Sequence, residues 1–440
     1  MATPIEAVDR THALLTPGQG NQKIGMGAEL AKRSEAAGQV WAMADQVLFP
    51  QLGYRLTDVA WNLTGRTPED AEAELQNTLH AQLAITTDTL ASKAAMEEAG
   101  LLDGPGYHAG NSVGMIAALV NAGSLSIEGA VHLAKGRGEA FRLAIDQGPK
   151  TTMMSLVGVD QEIIDEVREK YDLEVCLINT PRQIVLGGPI DNIGEAAADL
   201  EGKGLRDEVH KLRVDAAFHS KYMEAAVPVW EKVVADTGIV APKYGEVVGG
   251  STVTVLSTPE AIRRELVLQL TNTENYAGVI KFLARQGVRT MTEINPTSSR
   301  LTKMHMETLG IPQEPRPFER VNLPKAAEGD KVLTLGYRLP IPASEQTPVT
   351  TEVAATEEKV SKDEVLSWYL DWISNRTGIE VTDLNEGMHF TEDANLDSED
   401  LKALRAALRA NFGKVVPDEE AAKNVLISMA VDATYKLVNS

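Results

Sequence analysis

The chain contains one cysteine, and no apolar run approaches the roughly 18 residues that a membrane-spanning helix needs. The cysteine, Cys176, lies in the apolar stretch EVCLIN, which predicts a buried strand, and a single thiol excludes an internal disulfide framework and suits a reducing compartment. Residues 1–12 lack the basic start and apolar middle of a secretory signal. These absences predict a soluble, cytoplasmic protein without a membrane partner.

Positive charge is also scarce. The chain has 42 lysines and arginines against 63 aspartates and glutamates, a formal net charge of −21. A protein that binds the phosphate backbone of nucleic acids needs the opposite balance, so this class of function is excluded. The charge of an anionic substrate must therefore be met by a few placed cations. Internal repeats are absent as well, which excludes a solenoid.

The long N-terminal part alternates short apolar runs with helical patterns from about Ala13 to about Gly336. This alternation is typical of strands and helices interleaved around a mostly parallel sheet, so the fold class is α/β. Within it, residues at about 150–213 follow the order strand, helix, strand, strand, helix, which predicts a small inserted α+β subdomain. We expect this domain to span residues 10–340.

The C-terminal part differs in composition. Residues 341–360 are rich in proline, threonine and glutamate without an apolar period, which predicts a linker. Residues 361–440 predict an all-α helical bundle. Its first helix has apolar residues at helical spacing (Val365, Trp368, Tyr369, Trp372, Ile373), its second has another stripe (Leu401, Leu404, Leu408, Phe412), and its third runs from about Glu419 to Leu437.

A candidate nucleophile lies in the pentapeptide at 110–114, GNSVG, which fits G-x-S-x-G. In this pattern the glycines permit a sharp strand-to-helix turn that exposes the serine hydroxyl. The following MIAALVNAG has helical spacing, so Ser112 would sit at a helix N-terminus with the amide of Val113 facing an oxyanion. The alternative is that Ser112 is an ordinary helix cap.

Several further motifs occur in a fixed order with this one. They are PGQG at 17–20, T-x-x-A-Q at 78–82, RG at 137–138, NTPRQ at 179–183, FHS at 218–220 and EINP at 293–296. Over residues 13–310 the chain resembles the malonyl-CoA:acyl-carrier-protein transacylases and the acyltransferase domains of polyketide synthases. The resemblance implies an α/β-hydrolase-like core with a ferredoxin-like inserted subdomain.

The resemblance also implies catalytic roles. Ser112 would be acylated, His219 would be the general base, and the amides of Gln19 and Val113 would form the oxyanion hole. A serine hydroxyl needs such an imidazole, because it is a poor nucleophile until a neighbouring base accepts its proton. In this family a main-chain carbonyl orients the base, and we expect the segment at 293–296 to supply or position it. The other seven histidines are expected to be surface or packing residues, and no metal is expected.

Arg137 stands 25 positions after the serine on a predicted helix. Its planar guanidinium can pair bidentately with a carboxylate, and the resemblance implies that it binds the free carboxylate of a malonyl-type acyl group. We expect the flanking Gly136 and Gly138 to reduce crowding around it. The alternative is a plain surface arginine.

Other residues are expected to shape the acyl pocket. Gln82 belongs to the T-x-x-A-Q motif, and Phe218 precedes the base in the form that the family associates with malonyl rather than methylmalonyl selection. Two positions depart from the family pattern, Asn111 in place of histidine and Met115 in place of glutamate or glutamine. Both are expected to alter the pocket walls and the choice of acyl group. Asn295 also replaces a usual glycine.

Residues 361–440 resemble an acyl carrier protein, whose modified serine lies at the start of the second helix. The matching residue is Ser398 in NLDSEDL, so phosphopantetheine attachment is predicted there. Glu399 replaces the leucine of the motif, and three basic residues (Lys402, Arg405, Arg409) dilute the acidic face of a carrier. The alternative is a docking bundle in which Ser398 only caps a helix.

Together these features predict a ping-pong acyltransferase of polyketide or fatty acid synthesis. Ser112 takes malonyl from coenzyme A, and a phosphopantetheine thiol removes it. The acceptor is the chain's own Ser398 arm or a separate acyl carrier protein, and other synthase subunits are possible partners. Two alternatives are an editing acyl-thioester hydrolase, against which Arg137 counts, and a non-catalytic docking subunit of a synthase.

Overall fold

The structure is a computed structural model that describes residues 10–102, 106–294, 298–312, 317–325 and 331–342, together with eleven positions between 362 and 434. The chain divides into two compact units, Met1–Val349 and Thr350–Ser440. The boundary falls in the segment expected to be a linker, while the domain limits themselves stay a prediction. Within the described ranges, no helix combines the length and the apolar character needed to cross a membrane.

The strands of the first unit, in chain order, are β1 (His12–Thr16), β2 (Tyr107–Gly110), β3 (Thr151–Val157), β4 (Glu174–Thr180), β5 (Gln183–Pro189), β6 (Val209–Lys211), β7 (Glu246–Val247), β8 (Thr290–Glu293), β9 (Glu319–Leu323) and β10 (Leu333–Pro340). The helices are α1 (Ala28–Arg33), α2 (Glu35–Leu52), α3 (Leu56–Ala60), α4 (Pro68–Gln76), α5 (Thr78–Glu98), α6 (Gly114–Asn121), α7 (Ile127–Gln147), α8 (Gln161–Lys170), α9 (Ile190–Gly202), α10 (Val227–Asp236), α11 (Pro259–Thr271), α12 (Tyr276–Arg285) and α13 (Arg300–Thr308). A 3₁₀ helix covers Lys221–Ala226.

The larger sheet has the order β7-β2-β1-β8-β10-β9. Strands β7, β2, β1 and β8 run parallel, and β10 joins antiparallel between β8 and β9. All five residues of β1, HALLT, are buried, as expected of a parallel strand covered by helices on both faces. The α/β class is therefore confirmed, and the carboxyl ends of β1 and β2 meet at one edge of the sheet.

The inserted subdomain is a four-stranded antiparallel sheet of order β4-β5-β3-β6. Helices α8 and α9 pack on it through an apolar cluster that includes Met154, Leu186 and Ile193. Cys176 is buried on β4, and burial raises the pKa of its thiol. Strand β6 was not predicted, because its three residues are half-buried or exposed and carry no apolar pattern.

The two glycines that flank Arg137 let α7 pack closely against α5 on one side and α10 on the other. A Cβ at Gly138 would lie 2.7 Å from the Cα of Leu79, and a Cβ at Gly136 would lie 2.5 Å from a methyl group of Val233 on α10. Such distances are too short for a side chain. The glycines therefore permit helix packing and do not make room for the guanidinium, which corrects the expectation from sequence.

In the second unit, the described positions include Tyr369 and Ile373, both helical and buried. The hydroxyl of Tyr369 lies 2.9 Å from the hydroxyl of Thr434, which is also helical and buried. These positions belong to the first and third predicted helices. Ser398 and the whole second helix lie outside the described residues.

Candidate active site

Ser112 lies on a sharp turn between β2 and α6. Its φ angle of 51° is in the left-handed region, which is rare for a residue with a side chain. The flanking glycines make the turn possible, since a Cβ at Gly114 would lie 2.5 Å from the carbonyl of Thr16 and one at Gly110 would lie 2.1 Å from Gly114 itself. Val113 is the N-cap residue of α6, and no side-chain hydrogen bond caps this end of the helix. Ser112 is therefore not a helix cap, and its hydroxyl is free for other contacts.

The hydroxyl of Ser112 meets His219. Its Oγ lies 2.8 Å from Nε2 of the imidazole. On the other side of the ring, Nδ1 donates to the main-chain carbonyl of Gln269 at 2.6 Å. A proton on Nδ1 leaves Nε2 as an acceptor for the serine proton. The carbonyl that orients the base thus comes from the end of α11 and not from the segment at 293–296.

The segment at 293–296 is described only as far as Ile294. The carboxylate of Glu293 accepts hydrogen bonds from the amides of Leu301 and Thr302 and from the hydroxyl of Thr302, at 2.6 to 3.3 Å. Glu293 therefore holds the first turn of α13, while Asn295 and Pro296 lie outside the described residues.

The imidazole of His219 is held in its neutral form. Only 2% of the residue is exposed, and burial together with the charge of Arg137 lowers the pKa of His219 to about 3. An imidazole with a lowered pKa is neutral at pH 7, because the protonated form is the one that burial disfavours. His219 therefore has the protonation state of a proton acceptor at pH 7.

Arg137 is buried on α7, at 1% exposure, and is not a surface arginine. Its Nη1 donates to the side-chain oxygen of Gln82 at 3.1 Å, and its Nη2 donates to the side-chain oxygen of Gln269 at 3.1 Å and to Oγ of Ser112 at 3.2 Å. The guanidinium carbon lies 4.7 Å from the ring centre of Phe141. Burial lowers the pKa of Arg137 to about 10, which still leaves it charged at pH 7. A buried cation beside the nucleophile is suited to an anionic acyl group.

The two main-chain amides expected to form an oxyanion hole, those of Gln19 and Val113, lie at the serine elbow. Gln19 lies in the turn after β1, and a Cβ at the preceding Gly18 would lie 2.5 Å from Oδ1 of Asn111, so this turn crosses directly over the elbow. Across the described ranges, neither the amide of Gln19 nor that of Val113 donates to another protein group. Free amides at this position can receive the charge that develops on a carbonyl oxygen.

A cavity of about 370 Å³ opens at the elbow, between the larger sheet and the inserted subdomain. The predicted site residues that line it are Gln19, Gln82, Asn111, Ser112, Arg137, Phe218 and His219. Phe218 forms one wall, with its ring centre 4.6 Å from that of Phe141. Met115 is different: it is buried in the apolar core beneath α6 and is not among the lining residues. Met115 therefore forms no wall of the pocket, which corrects the expectation from sequence.

Two further residues, Gln269 and Glu274, lie at the site although their sequence pattern does not predict it. Gln269 contacts both His219 and Arg137, and the fully buried Glu274 accepts a hydrogen bond from the amide of Ser112 at 2.5 Å. Both lie in the stretch LQLTNTEN, whose pattern gives no signal of chemistry. Within the described residues, no cluster of histidine, cysteine and acidic side chains is suited to hold a metal.

Comparisons with known proteins agree with this geometry. Residues 14–312 match the family model described as the acyl transferase domain. The malonyl CoA-acyl carrier protein transacylase of Bacillus subtilis is 32% identical over 289 residues, which is 64% of this chain and 86% of that protein.

Solved structures give the same result. An acyl-carrier-protein S-malonyltransferase from Bartonella henselae is 28% identical with a TM-score of 0.60, and the match covers 68% of this chain and 92% of that one. A malonyl-transacylase solved in complex with its type II PKS acyl-carrier protein is 28% identical with a TM-score of 0.61, covering 68% and 93%. Since the family model spans more than half of the sequence and the elbow, base and arginine stand together in one cavity, the chain belongs to the acyl transferase domain family.

Proposed function

We propose that this protein transfers a malonyl group from coenzyme A to the phosphopantetheine thiol of an acyl carrier protein, through an ester on Ser112. The observation that carries the proposal is the position of the serine oxygen, 2.8 Å from Nε2 of His219 and 3.2 Å from Nη2 of Arg137. One neighbour can take the serine proton, and the other can bind a carboxylate of the acyl group. The names of the relatives support the same substrate and acceptor.

The first half-reaction forms the ester. The hydroxyl of Ser112 donates its proton to Nε2 of His219 while its oxygen attacks the thioester carbonyl carbon. The amides of Gln19 and Val113 stabilise the resulting oxyanion. As the tetrahedral intermediate collapses, the carbon–sulfur bond breaks and the coenzyme A sulfur takes the proton from the imidazolium. The carbonyl of Gln269 keeps the ring oriented throughout, so an aspartate is not needed.

The second half-reaction reverses these steps with a different thiol. His219 takes the proton of the phosphopantetheine thiol, the sulfur attacks the ester, and Ser112 recovers its proton as it leaves. Arg137 holds the free carboxylate of the malonyl group in both halves, which fixes the acyl carbonyl beside the serine. An editing hydrolase would use water in place of the thiol and has no use for this arginine.

We predict that His219→Ala slows the transfer by about 10²-fold or more, the usual scale of general-base catalysis. The measurement is the rate at which a holo acyl carrier protein gains the mass of a malonyl group from malonyl-CoA. His132→Ala is a matched control, because His132 is an exposed histidine on α7. A transfer rate that is equal in both variants would contradict the role of His219.

The acceptor in this proposal includes the chain's own C-terminal part. We predict that Ser398 carries phosphopantetheine when the full-length protein is isolated from its native host, because Ser398 stands in a carrier-like NLDSEDL motif. Intact-mass measurements of the wild type and Ser398→Ala should then differ by the arm in addition to the substitution. If the two masses differ by the substitution alone, no arm is attached and the acyl group leaves on a carrier from another chain.

The cytoplasmic location of the protein also stays a prediction.

A further inference from the structure

Glu274 is a buried carboxyl group that lies next to Ser112 and His219. The transfer mechanism described above does not use it. It lies between α11 and α12 with 0% exposure. Its Oε1 accepts from the amide of Ser112 at 2.5 Å, and its Oε2 lies 3.9 Å from Nδ1 of His219, beyond hydrogen-bond distance. In the described part of the chain, Oε2 has no hydrogen-bond partner. A carboxyl oxygen therefore faces the imidazole without orienting it.

Ser112 lies between Glu274 and Arg137. The serine amide donates to Glu274, and the serine hydroxyl accepts from Nη2 of Arg137. Within the described ranges, no carboxylate oxygen lies within 4.0 Å of the guanidinium, whose polar contacts are neutral groups. A buried guanidinium without a nearby anion is strongly disfavoured. Glu274 is therefore positioned to balance the charge of Arg137 when the pocket holds no anionic acyl group.

The other titratable groups around Glu274 do not serve this purpose. His219 is neutral at pH 7, and burial keeps Cys176 and Tyr276 in their neutral forms by raising their pKa values. Glu265 on α11 is buried, but its carboxylate accepts from the amides of Ser251 and Thr252. It holds a loop and does not contact the serine.

Glu274 can change its protonation state near neutral pH. Burial, helped by the charge of Glu265, raises its pKa to about 8. The amide of Ser112, the charge of Arg137 and the side chain of Gln269 act to lower it. A substrate carboxylate paired with Arg137 would cancel that positive charge and add a negative one. Both changes raise the pKa of Glu274 further, because a nearby like charge disfavours the ionised form.

We propose that Glu274 is the internal counter-charge of the acyl pocket in mildly alkaline solution, ionised there when no carboxylate pairs with Arg137 and protonated from solvent when a dicarboxylic acyl group does. This inference rests on the proposed transfer of malonyl-type groups. Glu274 is a positioning residue in this scheme, since it acts through Ser112 and Arg137 and does not touch the reacting carbonyl. Its role would make the choice of acyl group depend on pH.

The direction of this dependence follows from the charges. At low pH, neutral Glu274 leaves Arg137 available for a malonyl carboxylate. At high pH, the negative charge of ionised Glu274 offsets the positive charge of Arg137 and repels the malonyl carboxylate. The same negative charge stabilises the imidazolium of His219 that forms while an acetyl group is transferred. The ratio of malonyl to acetyl transfer should therefore fall as the pH rises through the pKa of Glu274.

The test compares the rates of ester formation on Ser112 from malonyl-CoA and acetyl-CoA between pH 7 and pH 9. In the wild type, the ratio of the two rates should fall by about tenfold over this range, because the protonated fraction of Glu274 falls by that factor. In Glu274→Gln, which keeps the shape and an oxygen for the serine amide, the ratio should not change with pH. Asp88→Asn is the matched control: Asp88 is a buried carboxyl group on α5 whose pKa burial raises to about 7, and its removal should leave the slope intact.

A second readout needs only the wild type. At pH 9, acylation by malonyl-CoA should take up close to one more proton per ester than acylation by acetyl-CoA, measured with an indicator in weak buffer. The inference is overturned if the two substrates take up equal numbers of protons, or if Glu274→Gln shows the pH slope of the wild type. A wild type that forms no malonyl ester at any pH would contradict the proposed function itself. That result differs from one in which the wild type and Glu274→Gln both form the ester with the same dependence on pH.

Discussion

Replacing Ser112 with alanine should abolish both the covalent malonyl adduct and transfer to a carrier, with a loss of activity of at least about 10³-fold. The reason is that Oγ is the atom in contact with His219 and Arg137, and alanine leaves neither residue with a reacting group. The adduct is measured by intact mass after mixing with malonyl-CoA.

Ser124→Ala is the control for this result, because Ser124 is a fully buried serine just beyond α6 that does not line the cavity. That variant should form the adduct at the wild-type rate. An undiminished malonyl adduct in Ser112→Ala would place the nucleophile elsewhere.

Replacing Arg137 with alanine should remove malonyl transfer while it preserves or increases acetyl transfer. A charge-assisted hydrogen bond contributes about 1.5–3 kcal/mol, so loss of a bidentate pair costs about 3–6 kcal/mol, or about 10²–10⁴-fold in rate. The measurement is the ratio of the acylation rates with malonyl-CoA and acetyl-CoA at pH 7. Both substrates carry the same coenzyme A, so its contacts with the protein cancel in this ratio.

Two further variants sharpen the Arg137 prediction. Arg137→Lys keeps a positive charge but loses the planar fork, so it should recover only part of the malonyl rate. Arg142→Ala removes an exposed arginine from the same helix, where it pairs with Asp146, and should change neither rate. If malonyl and acetyl transfer fall equally in Arg137→Ala, the arginine is structural and the preference for dicarboxylic groups has another cause.

Much of the fold could be predicted because the sequence patterns were local. The apolar runs of β1 and β4 and the periodic α5 and α7 required no knowledge of distant contacts. The elbow at Ser112 was equally local, since two glycines and a serine at fixed spacing determine the turn. Strand β6 was missed because three half-buried or exposed residues carry no signal, and they form a strand only by pairing with β3.

Site residues that belong to a short sequence motif could be predicted. Residues that reach the site only because the fold brings them there were missed. Gln269 contributes a main-chain carbonyl, which every residue has, so its identity gives no signal. Glu274 reads as a polar loop residue until the fold buries it against an elbow 162 positions earlier in the chain. The sequence suggested that Gly136 and Gly138 make room for the arginine between them. In the structure they are glycines because neighbouring helices lie too close for a side chain.

The central claim is that Ser112 carries a malonyl group between two thiols. It is tested most directly by intact-mass and peptide mapping of the wild type in two stages, first with malonyl-CoA and then with a holo acyl carrier protein after coenzyme A is removed. We predict that the malonyl mass appears on the peptide containing Ser112 and then moves quantitatively to the carrier. A malonyl group that never appears on that peptide, or that leaves only to water when the carrier is present, would contradict the claim.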